Sequence, residues 1–114
     1  MLAKKYRLSG SANFKRVEKE GRVFQMPDFG VAHVQRNDSL PSKFGFVIST
    51  KIAKGATDRN RIRRAMSEAV RMSSVDLKPG MDVVFLAKLS VIKSPTDKIM
   101  RDVYAALKEG GFIK

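Results

Sequence analysis

The sequence contains no cysteine and no tryptophan, and its single histidine is His33. Without cysteine the chain can form neither disulfides nor thiolate zinc sites, and it has no cysteine nucleophile, which fits a reducing compartment. His33 falls in an alternating strand pattern without a nearby carboxylate motif, so we expect a packed histidine and not a general base. The aspartates are scattered, mostly in turns or caps, without the short spacing typical of a two-metal phosphodiester site. The sequence therefore predicts no catalytic residue and no metal site in the protein itself.

Long apolar runs are also missing. No run approaches the roughly 20 residues needed to span a bilayer, and no apolar signal-peptide core follows the basic residues 1–6. The glycines do not form a phosphate-binding loop followed by Lys-Ser or Lys-Thr. We therefore expect a cytoplasmic protein without a membrane partner.

Acidic residues are scarce relative to basic ones. There are 11 Asp and Glu against 23 Lys and Arg, which gives a formal net charge of +12 over 114 residues. Such a field attracts polyanions and favours nucleic acid as the partner. With 43% apolar residues and a length typical of one domain, the chain can bury a core. We expect a single RNA-binding domain over residues 1–114.

Four arginines lie within residues 59–64 at the start of an amphipathic helical pattern that runs to about Met72. Its apolar positions follow helical spacing and predict a buried stripe, which comprises Ile62, Ala65, Met66, Ala69 and Val70. The arginines fall outside this stripe, so we expect their guanidinium groups to face outward, where each can pair with two phosphate oxygens. Glu68 is the only acid in the row, which argues against the alternative of an ordinary solvated helix face.

Other periodicities predict a helix over 11–20, two short strands within 22–36, a strand over 44–49, a buried strand over 81–87 and a helix from Pro95 to Gly110. Side-chain caps are predicted at Ser9 to Ser11, at Thr57 or Asp58, and at Ser94. Strand, helix, strand implies a parallel pair, in an α/β sandwich whose helices cover one face of the sheet. If the second face of the sheet is open, it would carry aromatic rings from the strands, on which bases could stack. The alternative is that these rings simply form the core, and it concerns Phe29, Phe44, Phe46 and Phe85.

Residues 51–64, which read KIAKGATDRNRIRR, and residues 68–71, which read EAVR, closely resemble the signature of the bacterial ribonuclease P protein family. Residues 45–49 and 82–85, together with Arg7, Asn13, Phe14 and Gly21, extend the resemblance over essentially the whole chain. The resemblance implies an α+β two-layer sandwich in the order α-β-β-β-α-β-α with a left-handed β-α-β crossover, whereas general rules predict a right-handed one.

The resemblance also implies a function. The chain would be the protein subunit of an endoribonuclease holoenzyme, and its partners would be a catalytic RNA and the 5′ leader of precursor tRNA. The holoenzyme removes that leader with Mg²⁺ ions bound mainly by RNA, so the protein supplies binding and no catalytic residue.

Site residues follow from the same resemblance. The residues expected to bind the catalytic RNA are Lys54, Arg59, Asn60, Arg61, Arg63, Arg64 and Arg71. Those expected to bind the leader, in a cleft between the first helix and the sheet, are Phe14, Lys15, Lys51 and Lys88. Many family members carry a second aromatic residue one helical turn after Phe14, where this chain has Glu18. Because a carboxylate repels phosphate and cannot stack, we expect a different or weaker grip on the leader there.

Two other functions stay open at this point. One is a structural RNA-binding protein of the ribosome or translation machinery. Composition does not distinguish this function from that of a ribonuclease P protein subunit. The other is an autonomous metal-dependent nuclease, which the absence of paired carboxylates disfavours.

Overall fold

The computed structural model describes residues 2–52 and 54–114. Met1, and Ala53 within the 51–64 segment that carries the family resemblance, lie outside the described residues. The helices are α1 (Ser11–Glu20), α2 (Ala56–Met72) and α3 (Thr96–Glu109). The strands are β1 (Arg22–Gln25), β2 (Phe29–Gln35), β3 (Lys43–Val47) and β4 (Met81–Ala87). Short 3₁₀ turns occupy Lys4–Tyr6, Ser74–Asp76 and Leu89–Lys93. The predicted class and element order are confirmed.

The four strands form one sheet in the order β1-β2-β4-β3. β2 is antiparallel to both β1 and β4, whereas β3 is parallel to β4, with Phe44 opposite Val83. The parallel pair predicted from the strand-helix-strand order is thus present, and α2 connects its two members. β3 lies at an edge of the sheet, where the segment before α1 pairs with it through the hydrogen bond from Leu8 N to the Phe44 carbonyl oxygen, 2.9 Å.

The two faces of the sheet carry different helices. Alternation along the strands sends Val83 and Phe85 into the core beneath α2 and α3. Val84 instead packs with Val17 of α1 on the opposite face. The expectation that helices cover one face therefore misplaced α1, because an amphipathic pattern shows that a helix has a buried side without showing which face of the sheet receives it.

The phenylalanines of the strands belong to the core beneath α2 and α3. Phe29, Phe44 and Phe85 are fully buried, and the partly buried Phe46 stacks on Phe85 with ring centroids 5.5 Å apart. The core interpretation is confirmed for these rings. The ring on the other face comes from Phe14 of α1, which packs beside the small cluster around Val17 and Val84.

The predicted side-chain caps do not form at any of the three helices. The N-cap positions are Gly10, Gly55 and Pro95, and none of them carries a side-chain cap hydrogen bond. The Ser94 hydroxyl donates to Asp28 instead. The predicted ends are correct, because Gly21 and Gly110 directly follow α1 and α3.

A buried carboxylate ties α1 to the sheet. Asp82, which is 2% exposed, accepts a hydrogen bond from Arg16 Nη2 at 2.5 Å and another from Arg36 Nη1 at 2.8 Å. A buried charge is tolerated when it is paired and hydrogen-bonded in this way. The pairing holds α1 in register with β4 and thereby positions Phe14 and Lys15 on the same helix.

Candidate nucleic-acid interface

Helix α2 divides its arginines between two grooves. All five residues of the predicted apolar stripe are buried in the core, so the remaining positions diverge on either side of the helix. One side faces α3 and the other faces the edge strand β3 and α1. The single cationic row predicted from the sequence is therefore two separate surfaces in the structure.

The first surface is a groove between α2 and the start of α3, with a volume of about 570 Å³. Asn60, Arg61 and Arg64 line it from α2, and Thr96 and Met100 line it from α3. Asn60 and Arg64 are exposed. Within the described part of the chain the side chain of Arg64 has no hydrogen-bond or ion-pair partner, so its guanidinium group is available to an anion.

Arg61 differs from its neighbours. It is half-buried, and it donates from Nη2 to the carbonyl oxygen of Ile92 at 2.9 Å and from Nη1 to that of Ser94 at 3.1 Å. The prediction that all the guanidinium groups face outward is wrong for this residue. Arg61 instead joins α2 to the 3₁₀ turn before α3, while its charge still lines the groove.

Two further cations of the predicted set are held by contacts at either end of α2. Arg59 Nη1 donates to the carbonyl oxygen of Lys54 at 2.8 Å, which fixes the loop that carries the exposed Lys54 side chain. Arg71 forms an ion pair with Glu68. Hydrogen bonding from Arg71 lowers the pKa of Glu68, and the same contact raises the pKa of Arg71. Arg71 therefore offers an anion less net charge than Arg64 does.

The second surface is a groove along the edge of β3. Its first part, of about 220 Å³, is lined by Arg7, Phe14, Gly45 and Arg63 among others. Its continuation, of about 390 Å³, is lined by Lys15, Glu18 and Ile48 as well as by Phe14 and Arg63. Arg63 is exposed and, within residues 2–52 and 54–114, has no hydrogen-bond or ion-pair partner. The groove thus combines the Phe14 ring, the three cations Arg7, Lys15 and Arg63, and the carboxylate of Glu18.

The other two residues predicted for the leader lie outside this groove. Lys51 is exposed in the loop after β3, three residues beyond Ile48 at the end of the groove. Lys88 is half-buried after β4, and its Nζ donates to the carbonyl oxygen of Met26 at 2.9 Å. Phe14 and Lys15 are therefore brought together, Lys51 extends their path, and the ammonium group of Lys88 is directed toward the turn between β1 and β2.

Sequence reasoning missed the part that Gly45 and Arg63 play in this groove. Gly45 lies inside a strand, where glycine marks a close approach of another group, and that group is the Phe14 ring. Arg63 had been assigned to the same row as Arg64, although helical geometry separates adjacent positions by about 100°. Helical spacing predicts that separation, but only the position of β3 shows what Arg63 faces.

The structure also describes the surroundings of the lone histidine. His33 is half-buried and lies edge-on to Phe24 and Phe112. Burial, with a smaller contribution from the charge of Arg22, lowers its pKa and so favours the neutral imidazole. Over residues 2–52 and 54–114 no group of three or more His, Asp or Glu side chains could hold a metal ion. Over the same residues no helix has the length and apolar character to cross a membrane.

Comparison with known proteins identifies the family. A family model described as Ribonuclease P matches residues 2–110. The chain is 36% identical over 111 residues to the ribonuclease P protein component of Chloroflexus aurantiacus, with 95% of this chain and 79% of that protein covered. It is 33% identical over 102 residues to the ribonuclease P protein component of Clostridioides difficile, with 89% and 84% covered.

Solved structures share the fold. The RNase P protein of Staphylococcus aureus has a TM-score of 0.88 at 23% identity, with 97% of this chain and 100% of that chain covered. The RNase P protein of Thermotoga maritima has a TM-score of 0.79 at 23% identity, with 90% and 96% covered. With a family model that matches nearly the whole sequence, the chain belongs to the ribonuclease P protein family.

Proposed function

We propose that the chain binds the catalytic RNA of ribonuclease P and the 5′ leader of precursor tRNA, and so assists magnesium-dependent 5′ maturation of tRNA in the cytoplasm. One observation carries the proposal: neighbouring residues of α2, Arg63 and Arg64, direct unpaired guanidinium groups into two different grooves. A protein that must hold two RNA segments at once needs two such surfaces on one rigid element.

The groove between α2 and α3 is the proposed site for the catalytic RNA. Arg64 and Asn60 offer free donors there, and the tether of Arg61 to Ile92 and Ser94 keeps the groove in a fixed shape. Arginine forks match phosphate oxygens bidentately. Lys54, Arg59 and Arg71 extend the positive surface along the helix.

The groove along β3 is the proposed site for the leader. Phe14 supplies a ring on which a base can stack, and Lys15 and Lys51 supply charge for the backbone, which is the combination that binds single strands without sequence preference. Arg63 opens onto the same groove, so we assign it to the leader as well as to the catalytic RNA. Lys88 supports this end of the sheet from a position in which its Nζ already binds Met26.

Magnesium enters this proposal as an ion of the RNA. The described carboxylates form no cluster that could hold a metal, and the chain's own contribution is positive charge. Lys and Arg screen the repulsion between two RNAs and displace their condensed counterions. The protein should therefore lower the magnesium concentration at which precursor tRNA docks onto the catalytic RNA.

A reconstitution experiment tests the proposal. The chain is mixed with a bacterial ribonuclease P RNA and precursor tRNA at a magnesium concentration too low for the RNA alone, and removal of the 5′ leader is measured. We expect cleavage to be restored by the chain with the RNA and to be absent with the chain alone. Cleavage by the chain alone would identify an autonomous nuclease instead.

Sequencing the RNA that copurifies with the chain tests the ribosomal alternative. We expect one abundant catalytic RNA. Recovery of ribosomal RNA in its place would support a structural role in translation, a role that family membership does not favour.

A further inference from the structure

The groove between α2 and α3 continues beyond its arginine-lined half into a half with a different character. This second half has a volume of about 470 Å³ and is lined by Ala69, Met72, Ser73, Met100, Arg101 and Tyr104. Met72 is 65% exposed and Tyr104 is 48% exposed, so two large apolar side chains face solvent side by side. Two exposed apolar side chains lining one groove make it a candidate contact surface, which the neighbouring charges help to identify.

Cations flank the exposed ring. Lys108 Nζ, one helical turn toward the end of α3, lies over one face of the Tyr104 ring at 5.5 Å from its centroid, so a stacking base would use the opposite face. Arg101 lies one turn before the ring, is exposed, and has no hydrogen-bond or ion-pair partner in the part of the chain that the structure describes. An aromatic face between two cations is the arrangement that binds a nucleotide, because the ring stacks on the base and the cations neutralise the backbone.

The two halves of the groove adjoin at Met100. Met100 lines the arginine-rich half together with Arg64 and lines the second half together with Tyr104. An RNA strand held by Arg64 therefore has a direct path to the Tyr104 ring. We propose that an unpaired nucleotide of the partner RNA stacks on Tyr104, with its backbone between Arg101 and Lys108. This inference rests on the proposed function and adds a base-stacking contact to the site for the catalytic RNA.

Charge decides between RNA and a second copy of the chain as the occupant. Each copy carries a formal net charge of +12, and the groove is flanked by cations, so two copies would repel each other there. Among the acids near the groove, Glu68 lines the arginine-rich half but is paired with Arg71. Asp97 lies on the same face of α3 as Tyr104, but two turns away, a separation of about 10 Å. That exceeds the Debye length of about 8 Å at physiological salt, so Asp97 interferes little with a phosphate at Lys108.

The test uses a fluorescent substitution. The chain has no tryptophan, so Tyr104→Trp introduces a single reporter that can still stack. We expect its fluorescence to be quenched when the cognate catalytic RNA is added. The control is Leu40→Trp, a reporter with 63% exposure at the position of Leu40 in the turn between β2 and β3, whose fluorescence should change little.

Affinity measurements complete the test. Stacking on one ring is worth about fivefold or more in affinity by alanine substitution, so Tyr104→Ala should weaken binding of the catalytic RNA at least that much with an unchanged melting temperature. Tyr104→Phe should bind normally. The salt dependence should keep its slope in Tyr104→Ala, whereas Arg101→Gln should reduce the log-log slope by about 0.7 to 0.9.

Separate outcomes identify separate failures. If the unaltered chain ignores the catalytic RNA, the proposed function is wrong. If it binds normally while Tyr104→Ala binds within twofold and Tyr104→Trp is not quenched, only the stacking contact is wrong. If Tyr104→Ala abolishes a dimer in sedimentation and leaves RNA affinity intact, the groove is a surface between two copies and the inference is overturned.

Discussion

The ring of Phe14 lies against the α-carbon of Gly45. A β-carbon built on Gly45 would lie 2.3 Å from Phe14 Cε1 and 2.5 Å from Cζ, distances at which one of the two groups must move. The backbone of Gly45 is ordinary strand, so alanine suits its conformation. What Gly45 provides is room: its missing side chain lets the ring settle on the sheet at the edge of the leader groove.

Gly45→Ala should displace the Phe14 ring and weaken leader binding. Because the obstructing atoms belong to a side chain and not to backbone, the ring can rotate away with little loss of folding stability. Leader affinity of the reconstituted holoenzyme should fall by about fivefold or more, the value of one stacked base. The measurement compares precursor tRNA with a tRNA that lacks the leader, since only the former should be affected.

Gly55→Ala is the matched control. A β-carbon at Gly55 would have Asp58 Oδ2 as its nearest neighbour at 3.8 Å, an ordinary contact. The two variants carry the same change, one inside β3 and one at the N-cap of α2, and only Gly45→Ala should discriminate between the two tRNAs. Equal behaviour of both would show that the Phe14 ring does not touch the leader.

Substitutions at Arg61 and Arg64 should affect different properties. Arg61→Ala should lower folding stability, and Arg64→Ala should weaken RNA binding. Arg61→Ala removes two charge-assisted hydrogen bonds to backbone carbonyls, each of which is worth about 1.5 to 3 kcal/mol in general, so the free energy of unfolding should fall by at least about 1.5 kcal/mol. Arg64→Ala removes an exposed, unpaired side chain and should leave the melt unchanged while weakening affinity for the catalytic RNA. Circular dichroism melts with RNA affinity measurements test both, and a collapsed melt with normal binding for Arg64→Ala would contradict the assignment.

Arg63 and Phe14 should act together on the leader. Both line the two parts of the β3 groove, so one leader segment would contact both side chains. In a double-mutant cycle with Arg63→Gln and Phe14→Leu, we expect a coupling free energy of about 0.5 kcal/mol or more in leader affinity. The same cycle with Arg64→Gln in place of Arg63→Gln should be additive, because Arg64 lies in the other groove. If both cycles are additive, Arg63 does not contact the leader and belongs to the site for the catalytic RNA alone.

Much of the fold could be predicted because its signals are local. Alternation predicted β2 and β4, helical spacing predicted the buried stripe of α2, and glycine predicted the ends of α1 and α3. The caps could not be predicted in the same way, because Ser94 has a competing partner in Asp28, which is distant in sequence. The hand of the connection through α2 came only from the family resemblance, since general rules favour the opposite one.

The candidate site was predictable in residue type more than in arrangement. Arginine content and helical spacing indicated an RNA-binding helix. The sequence does not say that Arg61 binds two carbonyls of a distant turn, that Phe14 packs on Gly45, or that Arg63 and Arg64 face different grooves. Each of these depends on how α2 and α1 are placed around β3, which is set by tertiary packing.

Glu18 should weaken the grip on the leader through its charge. It lines the same groove as Phe14 and Lys15, where a carboxylate opposes a phosphate by about 1 kcal/mol at contact distance in water. Glu18→Gln should therefore tighten leader binding by up to about fivefold at low salt, and the gain should shrink as salt screens it. Glu20→Gln is the control, since Glu20 lies on the opposite side of α1. An equal gain from both would indicate a change of net charge and no local contact.

The carboxylate of Asp28 should contribute both to the pH dependence of folding stability and to the shape of the α2–α3 groove. Its buried carboxylate accepts hydrogen bonds from Ser90 Oγ at 2.8 Å, from Lys98 Nζ at 2.9 Å and from Ser94. Burial alone would raise the pKa of Asp28, but the hydrogen bonds and the charge of Lys98 outweigh it and hold the pKa below its usual value. An aspartate with a lowered folded pKa stabilises the fold fully above its unfolded pKa of about 3.9, and this stabilisation is lost as the pH falls through the folded value.

Asp28→Asn should therefore lower the free energy of unfolding by about 1.5 to 3 kcal/mol at pH 7, and the difference from the unaltered chain should shrink below about pH 4. Urea melts between pH 3 and 7 measure this, with the exposed Asp76→Asn as the control. Because Asp28 binds Ser94, whose carbonyl holds Arg61, the variant should also loosen the α2–α3 groove. At a pH where Asp28→Asn is still folded, its affinity for the catalytic RNA should fall, while Asp76→Asn should bind normally. If Asp28→Asn instead loses the same amount of stability at every pH, the charge of the carboxylate is not what holds this turn.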